Sequence, residues 1–221
     1  MPKTSKISNG VKKLGKPDMV RSVKELKQVL HDQTWLKKAK NFNVYYVWRG
    51  VKEKNGLRYD ITVIPPKMLG KEFPKTKGHK HLNNFQELIT VLEGEAYYLS
   101  QFGKGNKIDK IEVIKAKKGD WIIYPPNSEH LTINPGKKRL VMANWISKKC
   151  KSDYSLFEKY QGAGYYYTKS GWLKNKNYKK MPKLHFQKPL KQKPKNLDFL
   201  YGSSKSSNSN CWFGNKIFTF D

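Results

Sequence analysis

Between Phe42 and Ser147 the chain runs in short stretches rich in β-branched and aromatic residues, many of them alternating apolar with polar. A period of two places every second side chain on the same face, so these stretches read as strands buried on at least one side. FNVYYVWRGV and LRYDITVIPP are separated by the turn-like KEKNG. ELITVLEGEAYYLSQF breaks at Gly94, KIEVIKAKKGDWIIYPP at Gly119, and HLTINPGKKRLVMANWIS at Pro135-Gly136. Strands recurring about every ten residues, each bounded by Gly, Pro or Asn, predict an all-β sandwich or barrel. Helical spacing is confined to two places. SVKELKQVL aligns Val23, Leu26, Val29 and Leu30, and sets Ser22 and Glu25 at the spacing of a capping box. YSLFEKY, after Asp153, is a second short candidate.

The two ends depart from this pattern. Residues 1–40 read as a basic arm, flexible to about residue 20, followed by the short helix; 41–180 form the β domain and 181–221 an extension. The extension opens with MPKLHFQKPLKQKPKNLDF, rich in lysine and proline, and continues with the low-complexity YGSSKSSNSN. Such a tail is expected to wrap the domain or to be partly disordered. The closing CWFGNKIFTFD is apolar enough to dock on its own domain or on a neighbouring subunit. No apolar run reaches the roughly 18 residues of a membrane helix, and the basic N-terminal stretch lacks the apolar core of a signal peptide. The two cysteines, Cys150 and Cys211, have no metal-like spacing, so a reduced, cytoplasmic protein is expected.

With 45 basic against 17 acidic residues the formal charge is +28, which invites a nucleic-acid or other anionic partner. Only Arg21, Arg49, Arg58 and Arg139 are arginine, however. Arginine is the residue that bidentate phosphate and guanine recognition favours. The lysines are also spread along the chain rather than gathered on one element. General solubility is the better reading, with attraction of small anionic substrates as a by-product.

Five histidines occur, and two of them, His79 and His81, sit two apart in TKGHKHLNNFQEL. On a strand they project from one face, with Lys80 turned away. Asn83-Asn84 supplies a turn, after which Glu87 opens the next strand and is expected to return across a hairpin to the same face. His130 lies where a third strand begins, after Pro125-Pro126. Three imidazoles and a carboxylate form a mixed nitrogen and oxygen shell suited to Fe²⁺, Mn²⁺, Ni²⁺ or Zn²⁺, with room left for water or substrate. His31 and His185, in the helix region and the tail, are expected to be structural.

GHKH, followed by Glu87, six residues and Gly94, is similar to the first motif of the cupin family, and GDWIIYPPNSEHLTIN resembles the second. More narrowly, RYDITVIPPKMLGKEFPKTKGHKH resembles the cupin-type phosphoglucose isomerases, through Thr62 ahead of VIPP and through the run from Thr76 to His81. The resemblance spans roughly residues 42–165. It implies a cupin double-stranded β-helix, that is, a jelly-roll barrel, usually as a homodimer. In it His79, His81, Glu87 and His130 hold one divalent metal, commonly iron. It also implies interconversion of glucose 6-phosphate and fructose 6-phosphate, with Thr62, Thr76 and Gly78 holding the substrate, chiefly its phosphate. Glu87 is the candidate base for proton transfer between C1 and C2; in a hydride shift it would serve as ligand alone.

The chain departs from those isomerases at three positions. Ile89 and Ile146 stand where the family has tyrosines, and Ser152 where it has a histidine; Asp153-Tyr154 survives. Tyr97, Tyr124, Tyr154 and Tyr160 are candidates to replace the lost hydroxyls. GAGYYYTKSGW is either a lid over the barrel mouth or a buried edge strand. The alternatives to a glucose-6-phosphate isomerase are another metal-dependent cupin enzyme, acting on a different sugar phosphate or as an iron oxygenase, and a non-catalytic basic cupin that binds anionic partners.

Overall fold

The computed structural model describes residues 14–202 and the backbone of 211–213 and 216–218. The expected flexibility of residues 1–13, the low-complexity run after Gly202 and the docking of CWFGNKIFTFD lie outside the described residues. Within them the chain forms two facing six-stranded sheets. The first has the order β1 (Met19–Ser22), β2 (Asn43–Lys54), β3 (Leu57–Ile64), β10 (Leu140–Ser147), β5 (Glu87–Glu93) and β8 (Trp121–Tyr124). The second has the order β11 (Ser152–Asp153), β4 (His79–His81), β9 (Glu129–Ile133), β6 (Glu95–Lys104), β7 (Lys107–Lys117) and β14 (His185–Gln187). This is the expected jelly-roll barrel, and each break read from the sequence separates two strands.

The barrel wall carries apolar side chains on both faces. Along β10, Leu140 and Met142 join the main core, while Val141 and Ala143 pack outside with Trp48, Ile61 and Val63. The helix α1 (Val23–Leu26) forms as its spacing predicts. Ser22 and Glu25 make the capping box, and Val23, Leu26, Val29 and Leu30 are all buried. The second helical segment is α3 (Ser155–Lys159); α2 (Gln33–Lys38), begun by the Asp32 cap on Trp35 N, was not anticipated. The arm reading ends too late, because Met19 and Val20 are already paired in β1 against β2.

The tyrosine-rich segment forms the hairpin of β12 (Tyr165–Thr168) and β13 (Gly171–Lys174). It forms a two-stranded sheet of its own, packed through Tyr167 on Phe73 and Tyr97 and with Tyr165 in the main core, and is an edge strand of neither six-stranded sheet. Among the described residues no helix is long and apolar enough to cross a membrane.

The extension wraps the barrel as far as Gly202. β14 pairs in parallel with β7, and Leu190 exchanges two backbone hydrogen bonds with Trp121 at the far edge of the other sheet. Leu200 then seals the outer face formed by Leu57, Leu88 and Ile123. Because Leu200 is fully buried there, Leu200→Ala is expected to lower stability by about 2–5 kcal/mol, the usual cost of a large-to-small core change. Urea unfolding checks this; a change near zero would mean that the extension is not part of the folded unit.

Candidate metal centre

β4 lies beside β9 in antiparallel register, with His79 opposite His130. The i, i+2 spacing on β4 brings His81 to the same face, and the two Nε2 atoms are 3.0 Å apart. Glu87 arrives differently from the expectation. The chain turns through Asn83 and Asn84, both with positive φ, and β5 then crosses to the facing sheet instead of returning as a hairpin. The carboxylate therefore meets the imidazoles from across the barrel, with Oε2 3.6 Å from His81 Nε2 and 3.9 Å from His130 Nε2. One ligand atom from each of the four residues falls within 4.8 Å of all the others.

Local hydrogen bonds set which nitrogen each ring offers. Backbone carbonyls can only accept, so His81 Nδ1 donates to Phe85 O at 3.2 Å, and His130 Nδ1 to Ser128 O at 3.1 Å. Both Nε2 lone pairs then face the interior, the arrangement typical of metal-bound histidine. Tyr124 stacks on the His130 ring with centroids 4.0 Å apart, while its hydroxyl donates to Leu131 O. His130 Nε2 is buried without a hydrogen-bond partner. A buried polar atom left unpaired is costly. Two donors bound at right angles to one ion at about 2.1 Å lie about 3 Å apart, which matches the His79–His81 separation. The donor set fits a divalent metal ion.

Thr62 and Thr76 line the same cavity as the four ligands. Thr76 Oγ1 accepts from Thr132 N at 3.0 Å. Gly78 is not among the lining residues. It has a φ of +79°, and a Cβ there would lie 2.4 Å from the Phe157 ring, so packing already requires a glycine. Of the four tyrosines considered, Tyr124 and Tyr154 line the cavity; Tyr97 and Tyr160 do not. Ile89, Ile146 and Ser152 do line it, so the departures are in the site itself.

The cavity also contains residues that the sequence reading passed over: Tyr45, Arg49, Arg58, Asp60 and Asn144. Arginine scarcity was the available signal, since two of the chain's four arginines are here. A second, more open groove on the surface, lined by Lys54, Trp145, Lys193 and Asp198 among others, contains none of the four ligands.

Burial dominates the titration of the site. It pushes Glu87 up to about 8, with the Asp60 charge adding to the rise and Arg58 opposing it. It pulls His81 down to about 4, with Arg58 acting in the same sense, and holds His79 and His130 well below the usual histidine range. A raised carboxyl stabilises the fold through its protonated form. In metal-free protein that contribution is complete below about pH 4.5 and is lost as pH climbs towards 8. The imidazoles act oppositely, their contribution being present above about pH 6.5 and lost on acidification. Metal-free Glu87→Gln is thus expected to gain stability over the parent as pH rises, by about 1.4 kcal/mol per pH unit across that window. Unfolding measured at pH 5 and pH 8 checks the sign; equal pH dependence in the two proteins would contradict it.

A family model described as glucose-6-phosphate isomerase (GPI) matches residues 20–183. The glucose-6-phosphate isomerase of Pyrococcus horikoshii is 30% identical over 144 residues, which cover 62% of this chain and 71% of that protein. That of Thermococcus litoralis is 28% identical over 142 residues, covering 61% and 72%. Among solved structures, oxalate oxidase in complex with a substrate analogue, glycolate, is 16% identical with a TM-score of 0.41, over 50% of this chain and 55% of that one. The match spans most of the barrel and includes all four converging side chains, and the chain belongs to the glucose-6-phosphate isomerase family.

Proposed function

We propose that this glucose-6-phosphate isomerase works with one divalent ion, Fe²⁺ in the cell, held by His79, His81, Glu87 and His130. The observation that carries the reading is the convergence of four candidate ligand atoms, three of them from buried residues, within 4.8 Å in a chain of this family. On the family resemblance, the working unit is a cytoplasmic homodimer with residues 41–180 as its catalytic barrel. A bound divalent ion supplies Lewis-acid polarisation of the sugar carbonyl and offsets negative charge that builds on its oxygen.

The remaining work falls to side chains. Interconverting an aldose and a ketose moves hydrogen between C1 and C2 of the open-chain sugar, which in the proton-transfer route needs one base. Glu87 is the carboxylate that faces the imidazoles from across the barrel, and so the candidate for that base. Thr62 and Thr76 offer hydroxyls to the phosphate from the cavity wall. Tyr45, Tyr124 and Met142, all buried, line the same cavity. The three departures favour one second reading, a different sugar phosphate as substrate, since Ile89, Ile146 and Ser152 all face the cavity.

A coupled assay for fructose 6-phosphate conversion, with and without chelator, tests the function. Chelator-sensitive turnover is expected; stoichiometrically metal-loaded protein without turnover would rule out this substrate. His81→Ala and His130→Ala are each expected to lower metal content and activity at least tenfold, because each removes one of four ligands. Glu87→Gln separates the two routes. With Glu87 as base, turnover falls far more than metal content does; parallel losses would assign it to the metal alone.

A further inference from the structure

Arg58, Asp60 and Thr62 alternate along β3 and so share the face that lines the metal cavity. Asp60 is buried and saturated. Its Oδ2 accepts from Arg58 Nε at 2.8 Å, and its Oδ1 from Gly50 N at 2.9 Å. The pairing fixes the guanidinium through Nε and leaves both terminal nitrogens without a partner among the described residues. The side-chain amide of Asn144, the cross-strand neighbour of Asp60, is likewise without a partner there. A buried ion pair is a poor stabilising device. One whose remaining donors face a cavity is better suited to a ligand.

The choice of residue points the same way. In a chain with 45 basic residues, only four are arginine. The rigid fork of arginine suits planar oxygen pairs, which a lysine ammonium cannot match. Its place in the cavity is also defined. Arg58 is opposite Ile146 on β10, while Asn144 is opposite Ile89 on β5. Arg58 lines the same cavity as His79, His81, Glu87 and His130. Thr62 is four residues away on the same strand, about 13 Å at the usual rise. An extended open-chain hexose phosphate fits that span once the length of the arginine side chain is allowed for.

We infer that Arg58, held in place by Asp60 and flanked by Asn144, binds the C1–C2 oxygens of the open-chain sugar phosphate and is a specificity-determining residue of the site. The inference rests on the isomerase reading and deepens it. Phosphate is held at the threonine end, and the two oxygens that exchange aldehyde, ketone and enediolate character lie under the fork. Electrostatic complementarity is then greatest when those oxygens carry negative charge.

Two probes that differ at C1 test this: 6-phosphogluconate, which has a carboxylate there, and glucitol 6-phosphate, which has a hydroxymethyl group. Both are titrated into the metal-loaded full chain. The parent protein is expected to prefer the carboxylate probe. In Arg58→Met that preference should fall about tenfold or more, with Arg58→Lys retaining part of it and metal content unchanged. The double variant Arg58→Met/Asp60→Asn leaves no unpaired buried carboxylate and should show the same loss. A preference unchanged in both the single and the double variant would overturn the role of Arg58 and leave the isomerase reading standing. Failure of the parent protein to bind either probe would overturn the isomerase reading itself, and the inference with it.

Discussion

Three imidazoles and a carboxylate aimed at one buried point form an arrangement that a folded protein tolerates poorly without a cation. In the metal-free protein burial disfavours charge on all four groups, and the cluster does not satisfy every buried nitrogen by itself. The unpaired His130 Nε2 is the visible residue of that conflict. Metal binding resolves it, since each group then has a use for its lone pair. The ligands also come from two sheets, His79, His81 and His130 from one and Glu87 from the other. Closing the barrel and assembling the site are therefore a single event. The Tyr124 ring stacked on His130, and the Phe85 and Ser128 carbonyls, hold the imidazoles in place before any ion arrives.

Much of this could be read from the sequence because its cues are local. A period of two is a property of a single strand, and a capping box spans four residues, so the strands and α1 followed from short windows. His79 and His81 share a face for the same reason. Glu87 is legible as a candidate ligand, but its route is not. The turn at Asn83 and Asn84 gives no sign of whether the next strand pairs with its predecessor or crosses the barrel, and packing against β8 and β10 decides that. Arg58, Asp60 and Tyr45 escaped notice because their place in the cavity depends on cross-strand register, which no short window contains. The extension was ambiguous on composition alone; Leu190 and Leu200 decide it by occupying edges and faces that the barrel leaves open.

The cavity is divided by chemistry as well as by position. Thr62, Thr76, Tyr45 and Tyr154 give it hydroxyls, and Arg58 with Asp60 gives it a fixed charge pair. Ile89 and Ile146 add apolar surface to the same cavity. Arg58 and Asp60 on β3, Asn144 and Ile146 on β10 and Ile89 on β5 lie on three adjacent strands, so one wall of the barrel carries both the polar trio and the apolar surface. The wider charge of +28 plays a lesser part: it draws anions towards the molecule, whereas the few arginines determine where an anion can be held.

X-ray absorption spectroscopy of the full chain loaded with Fe²⁺ tests the central claim most directly, because it reports the first shell without reference to activity. One ion per chain is expected, with nitrogen and oxygen neighbours at about 2.1 Å and outer-shell scattering from three imidazoles. Substoichiometric iron, or a first shell with fewer than two imidazoles, would contradict it.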